Sequence, residues 1–116
     1  MTAIIPTIII KRGNTFEERF VFPDTDLSTF SFIGMDLRYG KTSQSKLVHA
    51  FRIGDGLTTE GVGNNELIIT YSSIITKSMG AGDYYRDFLF VTGNNVEVYT
   101  KMEGTVRIEE SITVMT

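Results

Sequence analysis

The chain reads as a succession of short segments in which apolar and polar residues alternate, cut by turns rich in glycine, asparagine and aspartate. Ile4 to Lys11 (IIPTIIIK) is apolar and β-branched. Pro6 cannot donate to a strand ladder, which puts this first segment at a sheet edge or at its start. Gly13-Asn14 forms a turn, and Thr15 to Phe22 then alternates with Phe16, Phe20 and Phe22 on one face, where Glu18 is a flaw. Pro23 stops that strand before a turn cluster of Asp24, Asp26 and Ser28. Phe32 to Tyr39 again has period two, with Ile33, Met35, Leu37 and Tyr39 on one face and Phe32, Gly34, Asp36 and Arg38 on the other.

Gly40 to Lys46 is a polar loop, Leu47 to Ile53 a weaker strand, and Gly54-Asp55-Gly56 a turn whose glycines suit almost any hairpin. Leu57 to Thr59 is a short strand, Gly61 to Asn65 a turn, and Leu67, Ile69 and Tyr71 alternate beyond it. Ser73 to Val91 (SIITKSMGAGDYYRDFLFV) is the stretch around which the rest is organised. Ser72-Ser73 caps one helical turn over Ile74 to Met79, Gly80 and Gly82 end it, and the strand that follows is apolar on both faces, as in the middle of a sheet. Gly93-Asn94-Asn95 turns the chain, Val96 to Lys101 returns, and Thr105 to Val114 closes it with Val106, Ile108, Ile112 and Val114 as core candidates. Eight or nine short strands with almost no helix describe an all-β sandwich or barrel.

One position resists this scheme. Arg86 interrupts the aromatic face of Tyr84, Phe88 and Phe90, and a buried charge must pair or reach water. Asp36, Asp87 or Glu103 are its candidate partners; alternatively the core face is that of Tyr85, Leu89 and Val91, and Asp87 is the misfit. Periodicity alone does not decide.

The 116 residues and 13.0 kDa fit a single domain, residues 1–116, large enough to fold without staples. Cysteine is absent, which removes thiol nucleophiles, thiolate metal ligands and disulfides. A net charge of -3 and a pI near 5.1 offer no general attraction for nucleic acid. No apolar run approaches the roughly 20 residues of a membrane helix, and Met1 to Ile10 lacks the pattern of a signal peptide, so the expectation is no membrane and synthesis in the cytoplasm.

Candidate chemistry is sparse. His49 is the only histidine, expected on the solvent side of its strand, so a triad or a two-histidine metal site has little to build on. Asp24, Asp26 and Asp36 lack calcium-loop spacing and read as turn and strand residues. Gly80-Ala81-Gly82 is a turn, since no Lys-Ser/Thr pair follows it. Asp87, Glu103, Glu109 and Glu110 would serve a glycosidase only if two faced each other across a cleft. Tyr39, Tyr71, Tyr85 and Tyr99 would form a sugar-stacking platform only if they shared an exposed face, the basis of an alternative reading as a carbohydrate-binding or adhesion module.

Four segments taken in order, Asp26-Leu27 before Phe32 to Arg38, Phe51 to Thr59 (FRIGDGLTT), Gly82 to Val91 (GDYYRDFLFV) and Glu103 to Ile108 (EGTVRI), resemble small virion proteins of tailed bacteriophages and prophages. The likeness is to the immunoglobulin-like domain at the N-terminus of baseplate upper proteins and to free-standing tail or tail-fibre adaptors. It implies an immunoglobulin-like antiparallel β-sandwich of about eight or nine short strands. It further implies a non-enzymatic virion component without cofactor, metal or catalytic residues, bound to other tail proteins and homo-oligomeric in the particle. The family pattern turns Tyr84, Phe88 and Phe90 inward and Asp87 outward. Leu89 and Val91, with Tyr85, then lie on an outer face as the candidate partner interface; the family is often polar at Leu89 and Val91, and it carries tyrosine or an apolar residue in place of Arg86.

Overall fold

The computed structural model describes residues 2–91 and 98–110. The expected turn at Gly93 to Asn95, the start of the return strand at Val96, and the core candidates Ile112 and Val114 lie outside them. The strands are β1 (Thr2–Ile4), β2 (Ile8–Lys11), β3 (Phe16–Val21), β4 (Phe32–Arg38), β5 (Leu47–Ile53), β6 (Gly56–Glu60), β7 (Glu66–Tyr71), β8 (Gly82–Val91) and β9 (Val98–Glu109), with one helix, α1 (Ser73–Ser78). Hydrogen bonding runs in the order β1-β9-β8-β4-β5-β6-β7-β3, with β2 also on β9.

This path folds into two layers. The first is β1 and β2, β9, β8, β4 and β5; the second is β6, β7 and β3. The layers meet through aromatic rings, Phe20 on Phe88 at 5.7 Å and Phe22 on Phe90 at 5.6 Å between centroids. The chain crosses between layers at Gly54-Asp55-Gly56. No hairpin forms there: β5 and β6 run parallel and share only the pairs Arg52↔Gly56 and Ile53↔Leu57. Gly54 and Gly56 take φ of 87° and 89°, and a Cβ on Gly56 would stand 2.4 Å from the Phe51 ring, so the corner demands glycine there twice over.

The first segment is likewise split at Pro6, and both halves pair parallel with β9. Ser72 caps α1 through the Ile75 amide, as the sequence suggests, but the helix ends at Met79 in extended conformation, ahead of the glycines. Gly80 has a different use: its carbonyl accepts the Tyr84 hydroxyl at 2.8 Å. A tyrosine near the start of this strand, bonded back to the corner before it, marks immunoglobulin domains. Together with the strand order, it makes the fold an immunoglobulin-like β-sandwich.

In disulfide-bonded immunoglobulin domains the residue two beyond that tyrosine is a cysteine joined to the facing sheet. Here it is Arg86, 1% exposed, and its partner across the sandwich is Glu18 of β3. Arg86 bonds both Glu18 carboxylate oxygens, donates to the Tyr71 hydroxyl at 2.6 Å, and reaches the Pro6 carbonyl at 3.5 Å. Burial opposes its charge, but Glu18 and Tyr71 outweigh that and raise its pKa. Burial pushes the Tyr71 phenol up as well. The candidate partners Asp36, Asp87 and Glu103 are thereby corrected: they lie on β4, β8 and β9 in the layer of Arg86 itself, turned the other way from its inward side chain. Tyr84, Phe88 and Phe90 are the core face of β8, and Val106 and Ile108 are buried on β9.

Candidate functional site

The outward residues of β8 sit in a sheet whose register fixes their neighbours. Asp87 lies between Asp36 of β4 and Glu103 of β9; Tyr85 lies between Arg38 and Thr105; Leu89 faces Gly34, and Val91 faces Phe32. The candidate interface residues Tyr85, Leu89 and Val91 are all half-buried on this outer face, and Asp87 is exposed.

Gly34 allows that partial cover. A Cβ there would stand 2.6 Å from the Phe32 ring and 2.8 Å from the Arg52 guanidinium, so both groups lie over the glycine beside Leu89. Arg52 rests on the Phe32 ring at 5.1 Å and donates to Asp36 Oδ1 at 3.1 Å and to the Phe51 carbonyl at 2.8 Å. Arg38 donates to the other Asp36 oxygen at 3.0 Å and to the Ser45 carbonyl at 2.9 Å, which ties the loop after β4 to the sheet. Between that loop and Ile4 of β1 runs a cleft of about 460 Å³, floored by Asp36, Tyr85, Asp87 and Glu103 and walled by Lys41. The Lys41 ammonium stands over the Tyr85 ring, 5.2 Å from its centre.

The outer face of the second layer is built differently. Arg19 of β3 pairs with Glu17 at 3.8 Å, Glu60 at 3.3 Å and Glu66, and the Glu66 hydrogen bond leads in raising its pKa. Cross-strand from Arg19 is Ile68, which is 3% exposed although it points away from the core. The long arginine stem and its carboxylates roof that face.

The remaining candidates are dispersed. His49 shares the side of Phe51, its ring edge-on at 4.7 Å, and meets Asp55 Oδ1 at 3.2 Å; it is half-buried on the core-facing side of β5, not the solvent side expected for it. Asp26 caps a short 3-10 turn, Leu27–Thr29, and its bonds from the Ser28 hydroxyl and amide hold its carboxyl below the usual range. Asp24 sits in the preceding turn, closed from the Thr25 amide to the Phe22 carbonyl, with φ of 64°, while Asp36 sits between its two arginines on the outer face, so these aspartates form no group. Of the acidic residues weighed as a catalytic pair, Asp87 and Glu103 are register neighbours, whereas Glu109 and Glu110 pair with Lys11 and Arg12. The tyrosine platform does not form as drawn: Tyr71 is fully buried, held by Arg86, while Tyr39 is 45% exposed and Tyr85 half-buried; the Tyr99 side chain lies outside the described residues. The cleft itself escaped the sequence, because nothing in the polar composition of residues 40–46 says over which face the loop folds. Among the described residues no helix is long and apolar enough to cross a membrane.

No family model matches the chain, and no curated protein does. Among solved structures it is similar to InlP of Listeria monocytogenes, with a TM-score of 0.54 and 15% identity over 93% of this chain. It spans only 27% of that protein. It is similar also to a red sea bream transglutaminase, with a TM-score of 0.50 and 16% identity over 85% of this chain and 15% of the other. The second immunoglobulin domain of the mouse polymeric immunoglobulin receptor aligns over 98% of this chain and 100% of its own, at 13% identity and a TM-score of 0.40. At these identities the likeness is one of fold alone.

Proposed function

We propose that the chain is a non-enzymatic structural component of a tailed bacteriophage or prophage particle, a tail, baseplate or tail-fibre adaptor that works in the virion through protein–protein contacts. The observation that carries this reading is the contrast between its two outer faces. One carries the Arg19 ion pairs above Ile68; the other presents Tyr85 in a cleft and, farther along the same strand, Leu89 and Val91, the mixture of aromatic, aliphatic and polar groups that subunit interfaces use. The segments that resemble tail proteins include β4 and β8, the two strands at the centre of that face. Partner subunits bind here by burying apolar area, and symmetric repetition multiplies a weak pairwise contact.

The test combines solution mass with particle composition. Light scattering over a range of concentrations is expected to show self-association or uptake by a co-expressed tail protein, and purified particles are expected to contain the chain. A protein that stays monomeric at high concentration and is absent from particles overturns the reading.

A further inference from the structure

The corner between β5 and β6 joins Asp55 to Gly56, and Asp55 is the one aspartate of the chain that precedes a glycine; no asparagine does. With no Cβ on the following residue, a backbone nitrogen can approach the side-chain carboxyl before it and close a five-membered ring. The bonds that close the corner are donated by the amides of Arg52, Gly54 and Asp55, at 2.9, 3.0 and 2.7 Å, so the Gly56 nitrogen carries none of them. The Asp55 side chain is 66% exposed, and its Oδ1 meets His49 Nε2 at 3.2 Å. Other aspartates are held differently, Asp26 by Ser28, Asp36 by Arg38 and Arg52, Asp83 by Arg107, and each of these is followed by a bulky side chain.

We infer that Asp55-Gly56 is a site of spontaneous covalent rearrangement, at which aspartate isomerises to isoaspartate with the neighbouring His49 imidazole as the assisting acid. The Gly56 nitrogen bonds to Asp55 Cγ, and Oδ1 leaves as water, taking the Gly56 amide proton and one proton from the protonated His49 ring. Water then opens the cyclic imide and returns a proton. Cleavage between the Gly56 nitrogen and Cγ restores aspartate. Cleavage between that nitrogen and the main-chain carbonyl carbon of Asp55 leaves the chain running through Cγ, one methylene longer. Nothing is oxidised or reduced, and the mass is unchanged. At this corner the product matters: the oxygen that accepts the Arg52 amide becomes part of a free carboxylate, and the pairs Arg52↔Gly56 and Ile53↔Leu57 lose the chain length that aligns them.

The experiment incubates the whole chain at physiological temperature and neutral pH, folded and unfolded in guanidinium chloride. Isoaspartate is followed by enzymatic methyl transfer to its carboxylate and located by peptide mapping. In the folded chain it is expected at residue 55 alone, forming at least as fast as in the unfolded chain. His49→Gln is expected to slow the folded chain roughly three- to tenfold, below the ~10²-fold of a dedicated general acid, and to leave the unfolded chain unchanged. Asp55→Glu, which would have to close a larger ring, is expected to abolish the signal. A folded chain that isomerises more slowly than the unfolded one, equal isoaspartate at other aspartates, or a His49→Gln variant as fast as the parent chain overturns the inference.

Discussion

The two outer faces of this sandwich come from the same alternation and end in different states. On the second layer Arg19 gathers Glu17, Glu60 and Glu66 above Ile68, so that an outward isoleucine is as hidden as a core residue. On the first layer the corresponding centre is Gly34, with no side chain, and the Phe32 ring and the Arg52 guanidinium lie over it beside Leu89. Outward apolar residues therefore do not mark an interface by themselves. The difference lies in how much of the chain's own side chains lies over them.

The comparison presumes that both layers stay in register, and the largest predicted effect comes from removing what fixes them. Glu18→Ala leaves Arg86 buried without its carboxylate and is expected to lower stability by about 3–5 kcal/mol, read as the urea midpoint. Replacing the pair together, Glu18→Leu with Arg86→Met, is expected to recover most of that loss. A double variant as unstable as the single one would show that the bridge does more than neutralise itself.

Next in size is a direct challenge to the open face. Leu89→Asp is expected to weaken self-association or partner uptake by tenfold or more, about 1.4 kcal/mol or above, while the melting temperature changes little. Equal association of Leu89→Asp and the parent chain would erase the distinction between the faces. Arg19→Met on the face of Ile68 is expected to leave association untouched and to change stability by less than about 1 kcal/mol, since Arg19 and two of its three partners, Glu17 and Glu60, are solvent-exposed. The smallest effect concerns pH. Asp26 titrates below its ordinary value of 3.8 in the folded chain, because its carboxylate accepts from Ser28. Its contribution is therefore complete above that value and is lost as pH falls through the folded pKa. Asp26→Asn is expected to flatten the acid limb of a stability–pH profile slightly, because the variant is a little less stable near neutrality and matches the parent chain at low pH.

Much of this architecture was legible in the residues. β4 turns an uninterrupted apolar row inward and β8 turns in one broken only by Arg86, and a period of two states both directly. The glycines at 54 and 56 announced a sharp turn, but not that the chain would continue in the same direction into the other layer. β5 has apolar residues at both parities, and pairing with β4 slips between Leu37 and Arg38, so alternation could not assign the side of His49. The deepest gap is Glu18 and Arg86. Each stood out as a flaw in its own strand, yet strand-by-strand periodicity holds no information about which residues meet across 68 positions of sequence. Two anomalies on core faces of opposite charge were a legible hint of each other. The cleft left no such trace, because it depends on where a polar loop comes to rest.

Glu18 and Arg86 stand where disulfide-bonded immunoglobulin domains carry their cross-link, and this chain has no cysteine at all. A link made of charge needs no oxidant, no isomerase and no particular redox compartment. The two layers can join as soon as both have been synthesised, and a reductant that would open a disulfide-bonded relative has nothing here to act upon.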